Sequence, residues 1–276
     1  MDHYDFARDP CTRMRLRNMS SSMPSSLWLR SFHPAPAAPT RLVCLPHAGG
    51  SATYYFPVSK TLSPGVEVLA AQYPGRQDRR SEPCLDSIPE LARRLAGELA
   101  PWSDKPLTLF GHSMGASVAF EVARLLAETD VPVLGVIASG RCAPSTDRVE
   151  TVHLRDDEGI LRELRELEGT ETEFLGDDEL VRMVMPAIRG DYTAVANYRC
   201  APGVRIPYPI AVMVGDADSR ATVDEAHAWE GHTSGGFDLR VFPGGHFYLN
   251  DRPAEVTAAV AGHIARWSAV ADAVAP

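Results

Sequence analysis

The sequence predicts an α/β fold, a mainly parallel, doubly wound sheet flanked by helices and interrupted by one helical insertion. Three observations predict it. Apolar runs recur at residues 41–46, 66–73, 107–110, 133–139, 210–214 and 237–242, the pattern of strands buried on both faces. Helical periodicity separates most of these runs, which implies parallel strands joined by crossovers. At 276 residues, 45% hydrophobic and 23% charged, the chain suits one large globular domain with an ample core.

In chain order, residues 1–24 are expected to form a disordered extension. Mixed charges there lead into Ser20-Ser-Ser-Met-Pro-Ser-Ser26, and Arg13, Arg15 and Arg17 are followed by no apolar stretch of a secretory signal. Met14, Met19 and Met23 leave a later translation start open. The folded domain is expected over 25–276, opening with a short edge strand at 27–32 and a spacer containing Pro34, Pro36 and Pro39. The strand at 41–46 delivers the chain into His47-Ala-Gly-Gly-Ser51, with a helix near 54–62, a strand at 66–73 and a loop at 74–80 to follow. Ser87 is placed to cap a helix over 87–99, whose Ile88, Leu91, Leu95 and Leu99 share one face.

The strand at 107–110 runs into a small-residue helix at 114–127, and another strand follows at 133–139. Between Gly140 and Pro209 only helical pattern is found, at 156–167, 177–188 and 191–198. This insertion, about 142–208, is either a mobile lid or a fixed subdomain, and in both cases it shapes the substrate pocket. Strands at 210–214 and 237–242 and a last helix after Asp251, striped by Val256, Val260, Ile264 and Trp267, complete the chain.

The net charge of −9 argues against broad nucleic-acid binding and gives no support for a polybasic membrane contact. No run approaches the ~18 apolar residues of a membrane span. Cys11, Cys44, Cys84, Cys142 and Cys200 are odd in number and lack C-x-x-C spacing, which fits reduced thiols of a cytoplasmic protein rather than a zinc site or disulfide framework.

The chemistry is concentrated in Gly111-His-Ser-Met-Gly115, which fits the G-x-S-x-G turn that exposes a serine hydroxyl between a strand and a helix. Ser113 is therefore the candidate nucleophile. A serine needs a base and the base an orienting acid, which in this fold follow in the order acid, then histidine. His246, on a glycine loop after the last strand, is the candidate base. His47 precedes the serine and is expected to line the pocket, His112 should point away from Ser113, and His227 and His232 are expected at the surface. Asp218 is favoured as the acid over Asp216, which would instead brace its loop. The oxyanion donors are assigned to the amides of Met114, after the nucleophile, and Ala48, on the loop after the earlier strand.

Five stretches in order, Pro46-His-Ala-Gly-Gly50, Gln72-Tyr-Pro-Gly-Arg76, Gly111-His-Ser-Met-Gly-Ala116, Gly215-Asp-Ala-Asp218 and Gly245-His-Phe-Tyr-Leu249, resemble the type II thioesterases. These are stand-alone α/β-hydrolases that accompany polyketide and nonribosomal peptide synthases. Ile188-Arg-Gly-Asp-Tyr192 and Tyr198 resemble that family's helical lid, and the likeness runs from Leu27 to Val270. Leu45, where an aromatic is common, and the long N-terminal extension depart from the pattern.

The resemblance implies hydrolysis of aberrant or stalled acyl thioesters on the phosphopantetheine arm of acyl or peptidyl carrier proteins. It also implies the second aspartate, Asp218, as the acid. No cofactor or metal is implied, the pantetheine belonging to the partner, and a cytoplasmic monomer is expected. Arg76, Arg79 and Arg80 are candidates for docking an acidic carrier. Rival readings are a carboxylester hydrolase on small free esters, a medium-chain acyl-carrier-protein hydrolase, and a catalytically dead scaffold.

Overall fold

A computed structural model describes residues 26–167 and 177–274. The expected disorder of residues 1–24 lies outside them. The strands are β1 (Leu29–Arg30), β2 (Arg41–Leu45), β3 (Glu67–Ala71), β4 (Leu107–His112), β5 (Val133–Ser139), β6 (Ile210–Gly215) and β7 (Phe237–Phe242). They form one sheet in the order β1-β3-β2-β4-β5-β6-β7, parallel throughout except for β1, which pairs antiparallel with β3 at the edge. The helices are α1 (Phe56–Leu62), α2 (Ile88–Leu99), α3 (Met114–Leu126), α4 (Asp157–Glu166), α5 (Asp178–Ala196), α6 (Val223–His227), α7 (Tyr248–Asp251) and α8 (Pro253–Val274).

Side-chain alternation along the strands divides the core into two layers. Leu45, Leu109, Val136 and Val212 pack with Leu91 and Leu95 of α2 and Phe120 of α3. Cys44, Phe110, Ile137 and Met213 face the other way, onto Val256, Val260, Ile264 and Trp267 of α8. The register pairs Leu45 with Gly111, Gly111 with Ala138, Ser139 with Met213 and Gly215 with Phe242, so the candidate loops all leave the same edge of the sheet. Ser87 caps α2 as expected, accepting from the Glu90 amide.

Two sequence expectations are corrected. The helices expected at 177–188 and 191–198 are one helix, α5, which runs through Pro186 and Gly190. Proline removes one backbone bond, and burial of Met185, Ile188, Ala194 and Val195 on either side holds the helix together. His232 is buried rather than at the surface: its Nδ1 lies 2.8 Å from the Val204 carbonyl and its Nε2 2.8 Å from Ser145 Oγ. His227 is exposed as expected. Val152, Ile160, Leu164, Met185 and Ile188 give the insertion a small core of its own. Among the described residues no helix is long and apolar enough to cross a membrane.

Candidate active site

Ser113 stands between the end of β4 and the start of α3 with φ 54° and ψ −119°, a conformation non-glycine residues rarely adopt. The two motif glycines make it possible. A Cβ on Gly111 would run into the Gly115 carbonyl, and one on Gly115 into the carbonyls of Leu45 and Pro46 at the end of β2. The Ser113 amide donates to the Ser139 carbonyl at 2.7 Å, tying the turn to β5. Met114 is the first residue of α3, a position whose amide has no partner within the helix.

Asp218 and His246 are both buried, and His246 Nδ1 lies 3.0 Å from each carboxylate oxygen of Asp218. That contact places the ring proton on Nδ1 and leaves the Nε2 lone pair to accept another. Asp218 also accepts from the amides of Arg220 (2.7 Å) and Ala221 (3.2 Å), so it is oriented from two sides. Asp216 accepts from the Gly244 amide at 2.9 Å, and its own amide donates to the Phe242 carbonyl at 2.8 Å. It clasps the two loops together, the bracing arrangement expected of the aspartate not paired with His246.

Ser113, His246, His47 and Ala48 line one cavity of about 30 Å³. Leu164 of α4 and Tyr192 and Val195 of α5 form its roof. This is room for a water or two and not for an acyl chain. A larger cavity of about 550 Å³ opens at the other end of the strands, beside Tyr208, Phe237 and Trp267, and among the described residues its lining includes no serine, cysteine or histidine.

Three imidazoles surround Phe247, with ring centroids 5.0 Å (His47), 5.1 Å (His112) and 5.1 Å (His246) from it. Burial, then the proximity of His246 and Arg76, pushes His47 down to about 3. Burial, then His246 and His47, holds His112 well below the usual range, and its Nδ1 is turned onto Ser139 Oγ at 2.9 Å. Both stay neutral near pH 7, and of the three only His246 has a carboxylate partner. Among the described residues no three His, Cys, Asp or Glu side chains are placed to share a metal ion.

This burial has a consequence for stability. An unfolded histidine protonates near pH 6.5, whereas folded His47 does so only near 3. Between those values the unfolded chain binds a proton that the native protein refuses, so stability falls as pH drops, by up to about 1.4 kcal/mol per pH unit for such a group. The urea midpoint is expected to be level from pH 8 to 7 and to decline from about 6.5 downward. His47→Gln should make that decline shallower by one proton; an unchanged slope would count against it.

The expected basic docking loop is corrected. Arg76 is buried, pairs with Asp191, donates to the Pro74 carbonyl at 2.7 Å and lies over the Tyr73 ring. Arg79 is buried over Trp28, donates to the Gln72 carbonyl at 2.7 Å and pairs with Glu82. Only Arg80 of the three is exposed. Both buried guanidiniums serve main-chain carbonyls of a loop that packs inward, for which arginine's five donors are suited.

Sequence reasoning missed a lattice of charges beside the cavity. Arg141 pairs with Glu150 (2.9 Å), and Arg220 reaches Glu150 (3.6 Å) and Glu163 of α4, which also accepts from Arg155 (2.9 Å). It also missed the role of Asp191, although an acid on the same stripe of α5 as Ile188 and Val195 was a visible signal.

An α/β-hydrolase sheet with a serine at its strand-to-helix elbow defines the class, a serine hydrolase. Residues 40–267 match the thioesterase domain model. The chain is 50% identical over 242 residues to thioesterase PikA5 of Streptomyces venezuelae, covering 87% of this chain and 86% of that protein. It is also 50% identical over 234 residues to a probable cadicidin biosynthesis thioesterase of Streptomyces griseus, covering 85% of this chain and 65% of that one. The solved structure of BorB, a type II thioesterase from the borrelidin cluster, superposes with a TM-score of 0.81 at 48% identity, covering 88% of this chain and 99% of that one. The chain belongs to the thioesterase family.

Proposed function

We propose that this enzyme hydrolyses acyl groups from the phosphopantetheine thiol of acyl or peptidyl carrier proteins, clearing aberrant or stalled units in polyketide or nonribosomal peptide synthesis. The observation that carries the reading is the buried Asp218–His246 pair opening into the same cavity as Ser113. The relatives, named as thioesterases of such clusters, support the substrate class over small free esters.

In the proposed reaction His246 Nε2 takes the Ser113 proton as Oγ attacks the thioester carbon. Asp218 stabilises the imidazolium and holds its tautomer. The amides of Met114 and Ala48 donate to the oxyanion; those of Gly49 and Gly50 are already bonded, to Asp191 and the His47 carbonyl. The C–S bond breaks, His246 returns the proton to the leaving pantetheine sulfur, and a water deprotonated by His246 then releases the acid. The roof over so small a cavity acts as a lid, and α4 and α5 must shift to admit the acyl-pantetheine.

Intact-mass measurement on carrier proteins loaded with different acyl groups tests this. Added enzyme is expected to return them to the free-thiol mass, with kcat/KM well above that for a p-nitrophenyl ester of the same acid. A preference of tenfold or more for the free ester would overturn the carrier-protein reading.

A further inference from the structure

Asp191 is 1% exposed on α5, within the Ile188-Arg-Gly-Asp-Tyr192 run. A carboxylate at such depth is costly unless its oxygens are bonded. Its Oδ2 has two donors: the Arg76 guanidinium, itself anchored on Pro74, and the Gly49 amide at 2.7 Å. The second bond reaches from the insertion onto the loop that carries Ala48. Gly49 has φ +76°, and a Cβ there would come within 3.0 Å of Ile188 Cγ1, so α5 sits directly against this turn.

The geometry of the turn gives the bond its consequence. The Gly50 amide donates to the His47 carbonyl at 2.9 Å, which pins the peptide plane shared by His47 C=O and Ala48 N–H. Asp191 pins the next plane, shared by Ala48 C=O and Gly49 N–H. With both planes held, the Ala48 amide has one direction. Without Asp191 the second plane is free to rotate, and Gly49 can move to other conformations open to glycine.

We infer that Asp191 is a positioning residue for the oxyanion hole: from the lid helix it orients the Ala48 donor through Gly49, so the hole is complete only while α5 is seated. Burial pushes the Asp191 carboxyl up, and the Arg76 guanidinium beside it opposes that shift. The inference rests on the assignment of Ala48 above. It makes lid seating and transition-state stabilisation one event, with water and small nucleophiles met by an incomplete site when the lid is away.

The test separates the Gly49 bond from the ion pair. Arg76→Met/Asp191→Asn removes both charges and keeps an oxygen for Gly49, whereas Arg76→Met/Asp191→Leu removes the charges and the acceptor. Relative to the Asn pair, the Leu pair is expected to lose roughly 10–100-fold in kcat on acyl-pantetheine, with KM within about threefold. Affinity for a boronic acid that places an oxygen in the hole should fall by a similar factor. Should the Leu pair fail to fold, Arg76→Met/Asp191→Ala carries the same comparison. Equal kcat in the two pairs, with Ser113→Ala inactive, overturns this inference alone; activity retained in Ser113→Ala overturns the assignment beneath it as well.

Discussion

Ser113→Ala is expected to yield a folded protein whose hydrolysis of acyl-carrier protein is lower by at least about 10⁴-fold. The alanine occupies the same backbone conformation, because φ 54° is imposed by the approach of Gly115 to Leu45 and by the Ser113 amide bond to Ser139. No buried bond network is lost with the hydroxyl of this half-buried residue. The melting temperature should therefore move by only a degree or two while activity vanishes. Single-turnover assays read the rate and circular dichroism the fold, and labelling by a fluorophosphonate should be lost in parallel. A loss of less than about 100-fold would remove Ser113 from the mechanism, and with it the reading of His246 and Asp218.

Gly115→Ala should be among the most damaging single methyl groups that can be added to this chain. The new Cβ would overlap the Leu45 carbonyl. That carbonyl belongs to β2, which is fully buried and hydrogen-bonded to β3 and β4 on its two sides, so it has no room to retreat. Either α3 lifts from the sheet or the Ser113 turn opens, and both expose the apolar surface of a helix buried on nearly every side. A loss on the order of 4 kcal/mol or more in urea unfolding, or an insoluble product, is expected. Gly97→Ala is the control: Gly97 lies on the exposed side of α2 with nothing within 4 Å of an added Cβ, so it should gain up to about 1 kcal/mol. Similar outcomes for the two variants would refute the packing argument.

The strands and the serine elbow were legible because their signals are local. Buried parallel strands are written as apolar runs, and Gly111 and Gly115 mark a close approach that tolerates no side chain. The choice between the two aspartates was legible only in part. Asp216 and Asp218 share one loop, and what separates them is the β7 loop, which offers an amide to one and an imidazole to the other. Arg76, Arg79 and His232 were misread for a common reason. Their burial is set by carbonyls and side chains brought in by other segments: Pro74 and Asp191 for Arg76, Gln72 and Trp28 for Arg79, Val204 and Ser145 for His232. The same holds for α5, where Gly190 lies in the gap between the helices expected at 177–188 and 191–198 and tertiary packing joins them. A Cβ on Gly190 would meet Cys84 Cβ at 3.4 Å, ordinary contact, so space does not require the glycine there.

The helical insertion leaves and rejoins the sheet on neighbouring strands. Ser139 of β5 pairs with Met213 of β6, and both ends are tied down by the Gly140 amide on the Met213 carbonyl and the Val136 amide on the Pro209 carbonyl. To the sheet, everything between is a single excursion that can be lengthened, shortened or exchanged without shifting a residue of the catalytic register. Descendants of such a chain are free to change the tenants of the pocket while inheriting its chemistry, and a graft of this segment from a relative must match the two seams and the side-chain anchors that cross it. The narrow points in that freedom are the side chains that reach back across it, among them Glu163 to Arg220, Asp191 to Arg76 and Gly49, Ser145 to His232, Arg148 to Glu225 and Tyr198 to Glu121. Diversification of this architecture is therefore expected to run through the roof and to halt at those anchors.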